Sequence, residues 1–114
     1  MTDHARLSLR VDLPGGGRFG PGKAALLSAI SQTGSINAAA RQLSMSYPKA
    51  LKLIEQMNTD FEEPLVISHH GGRAHGGSEL SELGDWVLTQ YREICAEADT
   101  ASRDRLRSIE AKLS

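Results

Sequence analysis

The chain has 114 residues, a length that fits one domain with at most one protruding element and excludes a two-domain enzyme. Hydrophobic residues make up 39% of the chain and charged residues 24%, so the chain can bury a core. Aromatic residues make up only 4%, which favours a helical domain with an aliphatic core over a β-sandwich. The net charge of −1 is unevenly divided along the chain. Residues 1–54 hold seven bases and two acids, a net charge of +5, and the remaining residues carry −6. The N-terminal half is therefore predicted to bind an anion.

The first predicted element is a strand. Apolar and polar residues alternate over residues 7–13, which is the period of a half-buried strand, and the sequence Pro-Gly-Gly-Gly at residues 14–17 ends it. A first helix is expected to begin at Pro21, since proline suits the first helical position, and to stop at Gly34.

Two further helices are predicted in close succession. Ser35 is a good N-cap for a short helix, and after a turn at residues 44–45 Ser46 caps a third helix with Pro48 in its first turn. Apolar spacing predicts the buried residues Ile36, Ala39, Ala40 and Leu43 in the second helix, and Ala50, Ile54 and Met57 in the third. The run Ala38, Ala39 and Ala40 is small enough to let two helices cross closely.

A hairpin and a long helix complete the chain. Residues 64–68 are predicted to form a strand, residues 69–77 a glycine-rich loop, and Glu79–Leu80 part of a short return strand. From Ser81 onward apolar residues recur every three or four positions, which predicts one long amphipathic helix.

That helix needs a partner. A helix of this length extends about 45 Å, which is more than a compact domain of this size can cover. The same helix of a second copy would bury the stripe and give a two-fold dimer. The residues predicted to form this dimer interface are Val87, Tyr91, Ile94, Ala98, Leu106 and Ile109.

The order strand, helix, helix, tight turn, helix, hairpin, long helix is that of a winged helix-turn-helix. The predicted fold class is therefore mainly α with a small β wing. Residues 1–81 are expected to form the winged helix-turn-helix, a DNA-binding domain, and residues 82–114 the long C-terminal dimerisation helix.

The stretch at residues 34–50 resembles the LysR-type helix-turn-helix, with an alanine-rich second helix and Ser46-x-Pro48 opening the third. More closely, the chain resembles the DNA-binding domain of the molybdate-responsive ModE regulators. The motifs that carry this resemblance are Phe19-Gly20-Pro21-Gly22-Lys23, Ser46-Tyr47, Glu55-x-Met57-Asn58, Pro64-Leu65-Val66, Gly71-Gly72-Arg73-x-x-Gly76-Gly77 and Leu80-x-x-x-Gly84. The resemblance implies the fold, dimerisation and binding to double-stranded DNA. Because that family binds its oxyanion in a separate C-terminal domain, no molybdate site is identifiable in the sequence.

The candidate DNA-binding residues come from three places. Because the apolar residues of the third helix face inward, its opposite face would enter a major groove of DNA. Lys49 lies beside that face and is expected to contact a phosphate. Ser35, Asn37 and Arg41 of the second helix suit phosphate contacts, although Ser35 also suits a purely capping role. Arg73 at the hairpin tip is a candidate for the minor groove, the alternative being a surface loop without DNA contact. The candidates on the third helix are Ser46, Tyr47, Pro48, Lys49, Leu51 and Lys52.

Other chemistries have weaker support. His69, His70 and His75 have the nitrogen ligands for a metal but no evident supporting shell, so no metal is predicted. The single cysteine, Cys95, excludes an internal disulfide and is expected to pack at the dimer interface.

Nothing in the sequence predicts catalysis or a membrane. A Gly-x-Ser-x-Gly elbow, a nucleotide-binding loop and a His-Glu-x-x-His pair are all missing, which argues against an enzyme and predicts no cofactor. No apolar run approaches a membrane span, so a cytoplasmic protein is expected. The alternative function is a helix-mediated protein-interaction module that keeps this fold without binding DNA.

Overall fold

A computed structural model describes residues 4–69 and 77–114, which form a three-helix core, two small hairpins and one long helix. In chain order the elements are β1 (Val11–Asp12), β2 (Arg18–Phe19), α1 (Pro21–Thr33), α2 (Ile36–Gln42), α3 (Tyr47–Asp60), β3 (Val66–His69), β4 (Gly77–Leu80) and α4 (Glu82–Glu110). Both hairpins are antiparallel, with Val11 opposite Phe19 in the first and Val66 opposite Leu80 in the second. The predicted fold class, mainly α with a small β wing, is confirmed.

The three core helices begin where the sequence predicts, and α1 also ends there. Pro21 opens α1, and Gly34 ends it at φ 71°, with its N–H donating to the Ile30 carbonyl at 2.8 Å. The side-chain oxygen of Ser35 accepts the Ala38 N–H at 3.0 Å, and that of Ser46 accepts the Lys49 N–H at 3.2 Å. Each serine satisfies a backbone donor that the helix itself leaves without a partner.

The turn between α2 and α3 is tight because the chain reverses at a single left-handed residue. Ser44 adopts φ 56°, and the N–H of the next residue, Met45, donates to the Ala40 carbonyl at 2.9 Å. Ala39 and Ala40 are buried against the neighbouring helices. Their small side chains allow the close crossing that brings α3 onto the surface of the domain.

The N-terminal strand is shorter than the sequence predicts. Of residues 7–13 only Val11 and Asp12 pair with another strand, because the chain turns back over residues 13–17 and pairs with Arg18–Phe19, which the sequence analysis missed. The turn is closed by the N–H of Leu13 donating to the Gly17 carbonyl at 2.7 Å. It depends on Gly15 and Gly16, at φ 95° and 104°, a region that other residues rarely adopt.

The core is mainly aliphatic, as composition predicts. Leu26, Leu27, Ile30, Met57 and Leu65 are its largest fully buried side chains. A small aromatic group completes it: the ring of Phe19 meets Tyr91 edge-on at 5.2 Å and Phe61 at 6.4 Å between centroids. This group joins the N-terminal hairpin to α4 and to the end of α3.

The β3–β4 hairpin, the wing of the fold, is fastened to the helices by polar contacts. The side-chain amide of Asn58 on α3 accepts the Leu65 N–H at 2.8 Å and the Val66 N–H at 3.2 Å. It also donates to the Val66 carbonyl at 3.3 Å. On the other strand the Ser78 N–H donates to the carbonyl of Gly34 at 2.9 Å. The base of the wing therefore has a fixed position relative to α3.

Helix α4 starts in the core and extends beyond it. Its cap, Ser81, accepts the Gly84 N–H at 2.9 Å and donates to the Pro64 carbonyl at 2.7 Å. Its first turns are buried through Val87, Leu88 and Tyr91. Among the helices of the described ranges, none combines the length and apolar character needed to cross a membrane.

The N-terminal segment, residues 4–9, runs along the distal part of α4. The Ala5 N–H donates to the Glu110 carboxylate at 2.7 Å, and the Tyr91 hydroxyl donates to the Leu9 carbonyl at 2.7 Å. The half-buried positions of α4 beyond Tyr91 are Cys95, Ala98, Asp99, Ser102, Leu106 and Glu110. One flank of the protruding helix is thus partly covered by the chain's own N-terminal segment.

Candidate nucleic-acid interface

The outward face of α3 is polar and exposed. With Ala50, Ile54 and Met57 buried, the exposed side chains of the helix include Pro48, Lys49 and Lys52. Tyr47 stands at the start of the helix with 46% of its surface exposed. The first turn of α3 therefore offers an exposed tyrosine ring and hydroxyl, and the outward face offers two lysines as hydrogen-bond donors.

Leu51 corrects the sequence analysis, which put it on this outward face. The side chain is half-buried and packs against the core. At about 100° per residue, Leu51 is only about 60° around the helix from the buried Ile54, so it belongs to the edge of the buried stripe.

Gln56 and Thr59 extend the outward face and were missed by the sequence analysis. They lie four and seven positions after Lys52, which is the spacing of residues on one helix face, and both are exposed. A glutamine amide can donate and accept on an adenine edge. Continuing the helical period past Lys52 would have identified both residues.

Three positive charges of the helix-turn-helix lie on its surface. Arg41, Lys49 and Lys52 are all exposed. Within residues 4–69 and 77–114, none of the three forms an ion pair. Exposed cations without carboxylate partners are able to displace the counterions of a polyanion.

A groove of about 480 Å³ separates the helix-turn-helix from the wing. Side chains with hydroxyl, amide or imidazole groups line it: Ser35, Asn37, Tyr47, Ser68, His69 and Ser78. Ser35 serves as a cap through its oxygen, as predicted, and its hydroxyl hydrogen remains available for a second partner. The groove therefore presents several neutral donors next to the exposed face of α3.

The wing tip lies outside the described residues, and with it Arg73, His70 and His75. Of the three histidines considered as metal ligands, only His69 is described, and its Nε2 lies 2.5 Å from a carboxylate oxygen of Glu79 on the paired strand. In the described part of the chain, no cluster of three metal-binding side chains is found.

The residues predicted to form a dimer interface separate into two groups. Val87 and Tyr91 are buried in the chain's own core at 7% and 8% exposure, and burial together with the Cys95 side chain raises the pKa of Tyr91 to about 12. This corrects the prediction that Val87 and Tyr91 form the dimer interface, and Tyr91 instead contacts Phe19 and the Leu9 carbonyl of its own chain. Cys95 likewise packs against this core.

The second group lies farther along α4. Ile94 and Ile109 are 45% and 60% exposed, whereas Ala98 and Leu106 are half-buried, Leu106 beside His4 and Ala5 of the N-terminal segment. Ile94, Ala98, Ala101 and Ile109 fall within about 80° of one another around the helix axis. This uncovered flank is what α4 offers to a second molecule.

These features define a winged helix-turn-helix with a protruding helix, and comparison with known sequences identifies its family. Residues 23–85 match the bacterial regulatory helix-turn-helix proteins of the lysR family. The chain belongs to that family.

Sequence relatives agree with the resemblance to ModE. The molybdenum transport protein ModE of Azotobacter vinelandii is 39% identical over 102 residues, covering 90% of this chain and 37% of that protein. The molybdenum-pterin-binding protein MopB of Rhodobacter capsulatus is 40% identical over 79 residues, covering 69% of this chain and 29% of that protein. The chain thus spans about a third of the length of these relatives.

A solved structure with the same fold is the crystal structure of the CbnR_DBD-DNA complex. It superimposes with a TM-score of 0.57 at 27% identity, covering 77% of this chain and 94% of that chain. The structure of full-length CbnR complexed with its target DNA gives 0.55 at 27% identity, covering 75% of this chain and 28% of that chain.

Proposed function

We propose that this chain is the DNA-binding part of a transcription regulator and binds duplex DNA as a homodimer. The observation that carries the proposal is the exposed surface of α3, with Tyr47 in its first turn and Lys49 and Lys52 on its outward face; within residues 4–69 and 77–114 neither lysine forms an ion pair. Membership of a regulatory helix-turn-helix family and likeness to a DNA-bound domain support the same conclusion.

In this proposal α3 enters the major groove. Tyr47, Lys52 and Gln56 meet base edges, and Pro48 packs on a thymine methyl. The phosphates on either side are contacted by Ser35, Asn37, Arg41, Ser46 and Lys49. Of these residues, Ser35 and Asn37 line the groove next to the wing.

Dimerisation through α4 would bring two copies of α3 to successive major grooves. Residues 82–114 remain the proposed dimerisation helix, with the contacts now assigned to Ile94, Ala98 and Ile109 rather than to Val87 and Tyr91. The operator is then an imperfect inverted repeat with half-sites about one helical turn apart.

The function is binding rather than catalysis. No cofactor is required for the proposed contacts, and the cytoplasm is the proposed location because a bacterial regulator meets its DNA there.

Selection of bound sequences from random duplexes tests the proposal. We expect an inverted repeat to be recovered, with binding that weakens steeply as salt rises, because several phosphates are neutralised per half-site. The competing function, a protein-interaction module, is favoured by the exposed apolar flank of α4. It requires that no duplex is bound even at low salt, and that result would overturn our proposal.

Alanine substitutions on α3 should distinguish base contacts from phosphate contacts. Tyr47→Ala and Lys49→Ala are both expected to leave the fold intact, because both side chains are exposed. Loss of a base contact at Tyr47 costs about 1 to 3 kcal/mol and relaxes preference at one position. Loss of a phosphate contact at Lys49 weakens binding to all sequences alike and lowers the salt slope by about 1 per half-site.

Binding titrations on cognate and scrambled duplexes measure both effects, and Lys52→Ala shows which kind of contact Lys52 makes. Unchanged binding in all three variants would mean that α3 does not lie in the groove.

Arg73→Ala tests the contribution of the hairpin tip. We expect lower affinity with the same major-groove preference, because a cation in the minor groove or on phosphates carries little sequence information. Footprinting should lose protection at the flanks of the operator only. Full flank protection in the variant would contradict a DNA contact by Arg73.

A further inference from the structure

A second groove lies away from α3 and the wing, where the N-terminal segment crosses α1 and α4. Its volume is about 370 Å³, and its lining includes Arg6, Leu7, Ala25, Ser28, Arg92 and Cys95. This volume is in the range of small-molecule sites. None of the described residues that line it is acidic.

Arg92 gives the groove a cation that is only partly used. Its guanidinium donates to the Ser28 hydroxyl at 2.9 Å, and no ion pair of Arg92 is found in the described part of the chain. The neighbouring helix positions, 88, 89, 95 and 96, are Leu, Thr, Cys and Ala, so no carboxylate of α4 lies three or four residues away. Since a guanidinium has five N–H donors, most remain for a ligand, with Arg6 at the rim as a second cation.

The rest of the groove is largely apolar. Leu7 has 36% of its surface exposed here, and Leu9, Pro21, Ala24 and Ala25 extend the same wall. The floor includes Tyr91, whose hydroxyl is turned away to the Leu9 carbonyl. Its raised pKa, about 12, reflects burial and the Cys95 contact and marks a floor of low polarity.

We propose that this groove binds a small organic monocarboxylate with a compact apolar body. The carboxylate is held by Arg92 and Arg6, and the apolar body covers Leu7 and Ala25. An inorganic oxyanion would satisfy the arginines but leave the apolar wall in water, and a neutral ring would cover the wall but leave the guanidinium without its anion. The proposal is independent of DNA binding, because no residue of α2, α3 or the described part of the wing lines the groove.

Occupancy has a measurable consequence for the whole chain. Three segments that are far apart in the sequence line the groove, so only the folded chain forms the site. A ligand that binds the folded chain alone raises its midpoint of thermal unfolding in a saturable manner.

The test uses benzoate and cyclohexanecarboxylate as probes, with benzamide and sulfate as the neutral and inorganic controls. We expect both carboxylates to raise the unfolding midpoint and to slow alkylation of Cys95 by the uncharged reagent iodoacetamide. Cys95 is the single cysteine and lines the groove, so its reaction rate reports occupancy directly. Benzamide and sulfate should bind at least about tenfold more weakly than benzoate.

Two variants and a matched control locate the site. Arg92→Gln should weaken benzoate binding about tenfold by removing the cation. Ala25→Leu should weaken it by filling the groove without changing charge, at an exposed helical position that tolerates leucine. Arg107→Gln, an exposed arginine about four turns farther along α4, should bind benzoate like the unmodified chain. Three results would each overturn the proposal: no saturable effect of either carboxylate, equal affinity in Arg92→Gln, or sulfate binding as tight as benzoate.

Discussion

Ile94→Glu is expected to separate the dimer into monomers and to remove most of the affinity for an inverted-repeat duplex. The Ile94 side chain is 45% exposed in the single chain and lies outside the buried core, so its proposed role is in the contact between two copies. A glutamate there places two unpaired carboxylates near the two-fold axis, at a cost of several kcal/mol. A loss of about 3 kcal/mol raises the dimer dissociation constant by roughly two orders of magnitude.

The matched control is Thr100→Glu. Thr100 is also exposed on α4, but it lies on the side of the helix away from Ile94 and Ile109. Thr100→Glu adds the same charge to the same helix and should leave the dimer intact. Sedimentation of the three proteins at tens of micromolar measures the association, and binding to duplexes with one or two half-sites measures its consequence.

Two outcomes would contradict the proposed dimer. One is a monomeric unmodified chain at these concentrations, and the other is an undisturbed dimer in Ile94→Glu. A variant that becomes monomeric but keeps full affinity for a two-half-site duplex would show that dimerisation through α4 is not needed for DNA binding.

The helix-turn-helix was predictable because its signals are local. Proline at the first position of α1, glycine at its end, and serine caps on α2 and α3 each act within four residues of themselves. The buried faces followed from helical spacing for the same reason. Leu51 was assigned to the wrong face because an apolar residue at the edge of a buried stripe has no local signal of its own.

The N-terminal segment was not predictable in this way. The alternating pattern indicated a strand over residues 7–13, but residues 4–9 lie against α4, with a hydrogen bond between residues 5 and 110 and another between residues 91 and 9. The first pair is 105 residues apart in the sequence and the second 82, and no periodicity reports either contact. The same long-range contacts removed Tyr91 from the predicted dimer stripe and formed the groove beside Arg92.

Gly84→Ala is expected to destabilise the fold by about 2 to 3 kcal/mol, even though alanine is the better helix former. A Cβ built on Gly84 would lie 2.2 Å from the carbonyl oxygen of Leu65 and 3.1 Å from its carbonyl carbon. Both atoms are backbone, so no side chain can move aside to relieve the contact.

The Leu65 backbone has little freedom to retreat. Its N–H is held by Asn58 at 2.8 Å, and its carbonyl accepts the Ser81 N–H at 2.9 Å. A methyl group at position 84 must therefore push α4 away from the base of the wing or break one of these hydrogen bonds. Either response uncovers the buried neighbours Val87 and Leu88.

Gly22→Ala is the matched control, because Gly22 also lies within a helix but a Cβ there would meet nothing within 4 Å. That substitution should be neutral or stabilise the chain by up to about 1 kcal/mol through helix propensity alone. Urea unfolding of the two variants and the unmodified chain gives the difference in free energy. Equal stability of the two variants would mean that α4 and the wing do not approach as closely as the Leu65 contact requires. A large loss confined to Gly84→Ala would explain in physical terms why the motif Leu80-x-x-x-Gly84 has glycine at its last position, since only a residue without a side chain lets α4 begin against the strand that positions the wing.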